Sequence, residues 1–82
     1  MKLPRDISGN ELVRLLAKFG YQTVRQTGSH IRLVSSFKGT QHPITIPRHK
    51  SLKIGTLNNI LKDVATYLET DKDQLIEDLF GR

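Results

Sequence analysis

"YQTVRQTGSHIRLVSSFKGTQHPITIP", residues 21–47, decides the fold. β-Branched and aromatic residues recur in three short runs, "YQTVRQT" (21–27), "SHIRLVS" (29–35) and "HPITIP" (42–47), with glycine-bearing breaks between them. Runs of this kind, bounded by turn residues, read as β-strands. Gly28 marks a tight turn between the first two, and Gly39 in "SFKGTQ" can supply the positive φ of the next turn. In the second run Ile31 and Leu33 point to one face, so His30, Arg32 and Val34 point to the other. Ile44 and Ile46 face the core from the third run, and Pro43 and Pro47 bracket it, which predicts a short edge strand or strand ends.

Helices flank this block. Ser8 and Glu11 form an S-x-x-E capping box, and Leu12, Leu15, Leu16 and Phe19 follow at the spacing of an apolar helical stripe, predicting a helix over about residues 8–19 that Gly20 ends. After the strands, "RHKSLKIG" (48–55) is a basic connection into a helix from about Thr56 to Leu68, with Leu57, Ile60, Leu61, Val64 and Leu68 buried. Asp71 and Gln74 cap a short terminal helix carrying Leu75, Ile76, Leu79 and Phe80. Its stripe completes the core in the simplest reading; otherwise it offers a surface to a partner or to a second copy of the chain, a homodimer. The order α-β-β-β-α plus a terminal α predicts an α+β fold, a three-stranded antiparallel sheet with helices on one face. The 82 residues make one domain, residues 1–82, with a core at about 3–68 and a helical extension at about 71–80.

Charge is distributed unevenly. Residues 1–56 carry ten Lys and Arg against two acids, Asp6 and Glu11, whereas residues 57–82 carry three against six. Concentrated positive charge is the footprint of a polyanion partner, most often nucleic acid. There is no cysteine, which excludes disulfides and thiolate metal sites and fits a reducing compartment. The opening "MKLPRDISGN" lacks the apolar stretch of a signal peptide and no segment reaches the length of a membrane span, so a soluble cytoplasmic protein without membrane contact is expected.

Several chemistries fail on residue types alone. No pair of carboxylates sits in the basic part of the chain for glycosidase-type acid–base work, and there is no phosphate-binding P-loop. Ser29, adjacent to His30 in the second strand, points to the opposite face, a poor arrangement for a nucleophile and its base. The spacing of His30, His42 and His49 matches no ligand motif, so neither a metal nor a cofactor is expected, and two of the three read as ordinary surface histidines.

What is left is histidine among cations. RNA carries its own nucleophile, the ribose 2′-hydroxyl beside each phosphodiester, and histidine suits proton transfer near neutral pH. His30 is the candidate for that transfer, and His49 a second candidate, as proton donor. Arg32, Lys50 and Lys53 are candidates for the phosphate, together with Ser29 and Arg48; Gly55 and Thr56 can add backbone N–H groups at the start of the second helix. Thr56 reads equally well as a simple N-cap there. The same residues could bind RNA without cutting it.

The motifs also resemble a known family. "GSHIRL" followed by "ITIPRHKSLKIGTLNNIL" is similar to the HicA toxin family, also called YcfA-like proteins, the RNase component of HicAB toxin–antitoxin systems. Gly28, Ser29 and His30 match its Gly-Ser-His, Pro47 and His49 its Pro-x-His, and Gly55, Thr56, Leu57, Ile60 and Leu61 its Gly-Thr-Leu-x-x-Ile-Leu. Gly9, Leu12, Leu15, Leu16 and Tyr21 extend the likeness over about residues 3–65. The resemblance implies a double-stranded-RNA-binding-domain-like fold, metal-independent cleavage of mRNA with His30 as the catalytic histidine, and a HicB-type antitoxin as partner. Beyond residue 65, "TYLETDKDQLIEDLFGR" departs from the short toxins and leaves the existence of a dedicated antitoxin open.

Overall fold

The computed structural model describes residues 3–81; Lys2 and Arg82, both counted in the charge distribution, lie outside the described residues. The elements follow as α1 (Gly9–Leu16), β1 (Gln22–Thr27), β2 (His30–Ser35), β3 (His42–Pro47), α2 (Ile54–Leu68) and α3 (Lys72–Phe80). The expected α+β order is therefore present, with an antiparallel sheet in the order β1-β2-β3.

Local chemistry sets the helix ends. Ser8 Oγ accepts from the Glu11 N–H and Glu11 Oε1 accepts from the Ser8 N–H, both at 3.0 Å, so the capping box closes. The backbone hydrogen bond from Ser8, then its hydroxyl, hold the Glu11 carboxyl below its ordinary range. The α-helix is shorter than the 8–19 expected: after Leu16 the chain tightens into a 3₁₀ turn, Ala17–Phe19, and Gly20 turns it at φ 81°. A 3₁₀ turn is a common way to finish a helix whose last carbonyls lack partners. At α3, Asp71 accepts from the Gln74 N–H at 2.7 Å, as the sequence predicts.

The start of α2 differs from expectation. Lys53, extended at φ −64° and ψ 144°, is the N-cap residue and supplies no side-chain cap, so Thr56 is not the cap. Gly55 and Thr56 lie inside the first turn.

One face of the sheet meets the helices. Ile31 and Leu33 of β2 and Ile44 and Ile46 of β3 are buried there, sharing a core with Leu12, Leu16, Leu57, Leu61 and Val64. Leu75, Ile76 and Leu79 are buried in the same cluster, so the apolar stripe of α3 is used within the chain. Every residue of β1 is exposed, and helices α1 and α2 pack toward β3 instead. The opposite face of β2 is bare, and it carries His30 and Arg32.

Candidate nucleic-acid site

The bare sheet face is built by register. Thr27 pairs with His30, and His30 with Pro47; one step along, Arg25 pairs with Arg32, and Arg32 with Thr45. Residues opposite each other on neighbouring strands share a face, so these form two adjacent rows across the sheet. They enclose a cleft of about 470 Å³ lined by Val24, Arg25, Thr27, His30, Arg32 and Thr45.

The turn that presents His30 is two residues long. Gly28, at φ 48°, is its first central residue and Ser29 its second. Positive φ at the first position is the demand of a type II′ hairpin turn, which glycine meets without a Cβ clash. Ser29 is thus a turn residue rather than a strand residue, and the expectation that it points away from His30 is overturned. Its Oγ lies 3.5 Å from His30 Nδ1, at the outer limit of a hydrogen bond. Nε2 of His30 has no partner among the described residues.

Arg32 is held by its neighbour: its guanidinium donates to Thr45 Oγ1 at 3.0 Å, which fixes it over the sheet. Arg48 follows β3, and its N–H donates to the Ser29 carbonyl at 2.7 Å, so its backbone is tied to the hairpin turn at the rim of the cleft. The backbones of Ser29, His30 and Arg48 therefore meet at one end of the cleft, and Arg32 lies on the same sheet face as His30.

The other candidates lie elsewhere. His49 is exposed, its carbonyl accepts from the Gly9 N–H at 3.0 Å, and it does not line the His30 cleft. Lys50 is exposed on the same connection and does not line it either. Lys53 lines a separate cleft of about 620 Å³ with Leu3, Arg5, Asp6, Ser51, Leu52 and Ile54, at the start of α2. Gly55 and Thr56 sit in the helical turn that follows it. The cations divide between two places instead of converging on one phosphate.

Two residues escaped the sequence reading. Arg25 is one: the two-residue turn sets it opposite Arg32, but alternation counted from the start of β1 is upset by an irregularity, for Thr23 pairs with Leu33 and Arg25 with Arg32, so Val24 is an extra residue. Such a bulge shifts every later side chain to the other face. His42 is the other. It is not an ordinary surface histidine: its side chain is only 16% exposed, Nδ1 lies 2.6 Å from the Tyr21 hydroxyl, Nε2 lies 3.1 Å from Asp63, and its ring stacks on Tyr67. Burial first, then the neighbouring Tyr67 and Asp63, push the Tyr21 phenol well above its ordinary range. Among the described residues, no group of three His, Cys, Asp or Glu side chains comes together in a way that could hold a metal ion. None of the helices in those residues is long and apolar enough to cross a membrane.

One imidazole and two guanidinium groups on the bare antiparallel sheet of a small α-β-β-β-α protein are the groups that a polyanion-binding class of protein would present. The family comparison gives that class its name: residues 9–65 match the model of the HicA toxin of bacterial toxin–antitoxin systems, and the chain belongs to this family. At the family level it is a toxin of the mRNA interferase type. No curated protein and no solved structure gives a match.

Proposed function

We propose that the protein is a metal-independent endoribonuclease in which His30 takes the proton from a ribose 2′-hydroxyl. The observation that carries this reading is the cleft itself: a solvent-facing imidazole with an unpartnered Nε2 beside Arg32, on a face that the core leaves bare. The 2′-oxygen attacks the adjacent phosphorus, the P–O5′ bond breaks, and the 5′-oxygen leaves with a proton. The products are a 2′,3′-cyclic phosphate and a 5′-hydroxyl. Arg32 opposes the charge that grows on the non-bridging oxygens. Because the RNA supplies the nucleophile, no metal-bound hydroxide is required, and the absence of any carboxylate from the cleft lining supports that.

The proton for the 5′-oxygen comes from solvent or from His49 on the connection after β3; a His49→Ala variant is slow only in the second case. Ser29 and Arg48 hold the RNA at the rim of the cleft. Lys53, Gly55 and Thr56 hold a second backbone phosphate at the start of α2, with Lys50 on the loop leading to it. The helices on one sheet face support a double-stranded-RNA-binding-domain-like fold. A HicB-type antitoxin would neutralise the toxin by covering the His30 cleft, and an mRNA substrate places both in the cytoplasm.

A His30→Ala variant tests the reading. It should lose cleavage and growth arrest while still retaining RNA. Cleavage at the parent's rate would overturn the assignment of His30. RNA retention without cleavage by the parent itself would leave a non-catalytic RNA-binding module.

A further inference from the structure

Arg25 and Arg32 stand directly opposite each other on β1 and β2. Like charges in that position oppose strand pairing, so the arrangement works against the stability of the sheet. No hydrogen bond or ion pair relieves Arg25 among the described residues, and Arg32 is held only by the neutral hydroxyl of Thr45. The hairpin register delivers the pair, and an irregularity flanks it. The two-residue turn at Gly28 and Ser29 sets Arg25 opposite Arg32, and just beyond the pair Val24 is an extra residue in β1, after which Thr23 still pairs with Leu33. A bulge on an edge strand also blunts unwanted strand pairing, but that role asks nothing of residue 25. Arg25, beside this bulge, lines the His30 cleft together with the arginine it repels.

We infer that Arg25 is a substrate-binding residue, and that with Arg32 it forms a two-guanidinium clamp on the phosphodiester that His30 serves. This rests on the nuclease reading of the same cleft and adds to it a second arginine. A guanidinium presents a planar fork of N–H donors that matches the non-bridging oxygens of a phosphate. Two such forks on neighbouring strands, with an anion between them, turn a repulsive pair into a site. Because the charge on the non-bridging oxygens grows as the 2′-oxygen attacks, the clamp acts more on kcat than on KM.

The test compares four full-length proteins, the parent, Arg25→Thr, Arg25→Lys and His30→Ala, for RNA cleavage kinetics and for thermal midpoint. Threonine keeps the strand propensity of the edge and removes the repulsion. The Arg25→Thr protein should melt at or above the parent's temperature yet show kcat lowered at least about tenfold. Arg25→Lys, which keeps the charge and loses the fork, should fall between the two. If Arg25→Thr cleaves within about twofold of the parent while His30→Ala is inactive, the clamp is wrong and the nuclease reading stands. A rise in KM with kcat unchanged makes Arg25 a general RNA-binding cation and overturns its place at the reacting phosphate. A lower melting temperature in Arg25→Thr, with neither activity nor stability restored by lysine, makes Arg25 structural and overturns the proposal. A His30→Ala protein as fast as the parent removes the nuclease reading, and the clamp with it.

Discussion

A Cβ placed on Gly9 would lie 2.0 Å from the carbonyl oxygen of Pro47, a distance that two such atoms never occupy. The first residue of α1 packs this tightly onto the end of β3, and its N–H donates to the His49 carbonyl on the same stretch. Just below, the Leu52 N–H donates to the Ile7 carbonyl at 2.8 Å. The backbone around Gly9 therefore fixes where the chain leaves β3, beside His30 in the pairing with Pro47.

Glycine at this position is required by close approach. A Gly9→Ala substitution should lower stability by about 1–3 kcal/mol, because backbone rather than a flexible side chain must move. The loss is read as a fall in thermal midpoint, and an unchanged midpoint would show that the contact yields at no cost.

Tyr21 and His42 tie the sheet to α2 on the face away from the cleft. A Tyr21→Phe substitution leaves His42 Nδ1 without its 2.6 Å partner and should cost about 1–2 kcal/mol with cleavage unchanged. It should also alter the alkaline limb. The folded Tyr21 phenol is raised, chiefly by burial, so its contribution to stability is complete below the unfolded tyrosine value near pH 10. That contribution is lost as the pH rises from there through the folded value, because the unfolded chain ionises first. The parent should therefore lose stability more steeply above about pH 10 than Tyr21→Phe, measured by denaturant melts across that range. Parallel slopes would contradict the buried phenol.

Helix α3 lies beyond the segment that matches the family, yet Leu75 is fully buried in the shared core. A Leu75→Ala substitution should cost about 2–5 kcal/mol, a large part of the stability a chain of this size has. Denaturant melts check it; a cost near zero would make α3 an appendage.

Most of the architecture could be read from the sequence because the signals are local. Alternation in β2 placed Ile31 and Leu33 inward and His30 and Arg32 outward, and the capping box and Asp71 marked the starts of α1 and α3. Features that depend on distant partners could not be read in this way. His42 draws its role from Tyr21 and Asp63, each 21 positions away, and no periodicity reports such a meeting. Arg25 was legible in one direction only. Alternation counted forward from the buried Tyr21 puts Arg25 on the helix face, because the count passes through the bulge at Val24. Counted backward from the two-residue turn at Gly28 and Ser29, Arg25 falls opposite Arg32. Lys50 and Lys53 follow His30 by about twenty residues of chain, and the fold does not bring them into the lining of its cleft, because the connection after β3 leads away to the start of α2.

The central claim is that the ribose 2′-oxygen is the nucleophile, and the chemistry of the new ends tests it most directly. An RNA cut by the parent protein in excess chelator should carry a 2′,3′-cyclic phosphate on one fragment and a 5′-hydroxyl on the other. A 3′-hydroxyl and a 5′-phosphate would mean that water attacked the phosphorus, and would contradict the account.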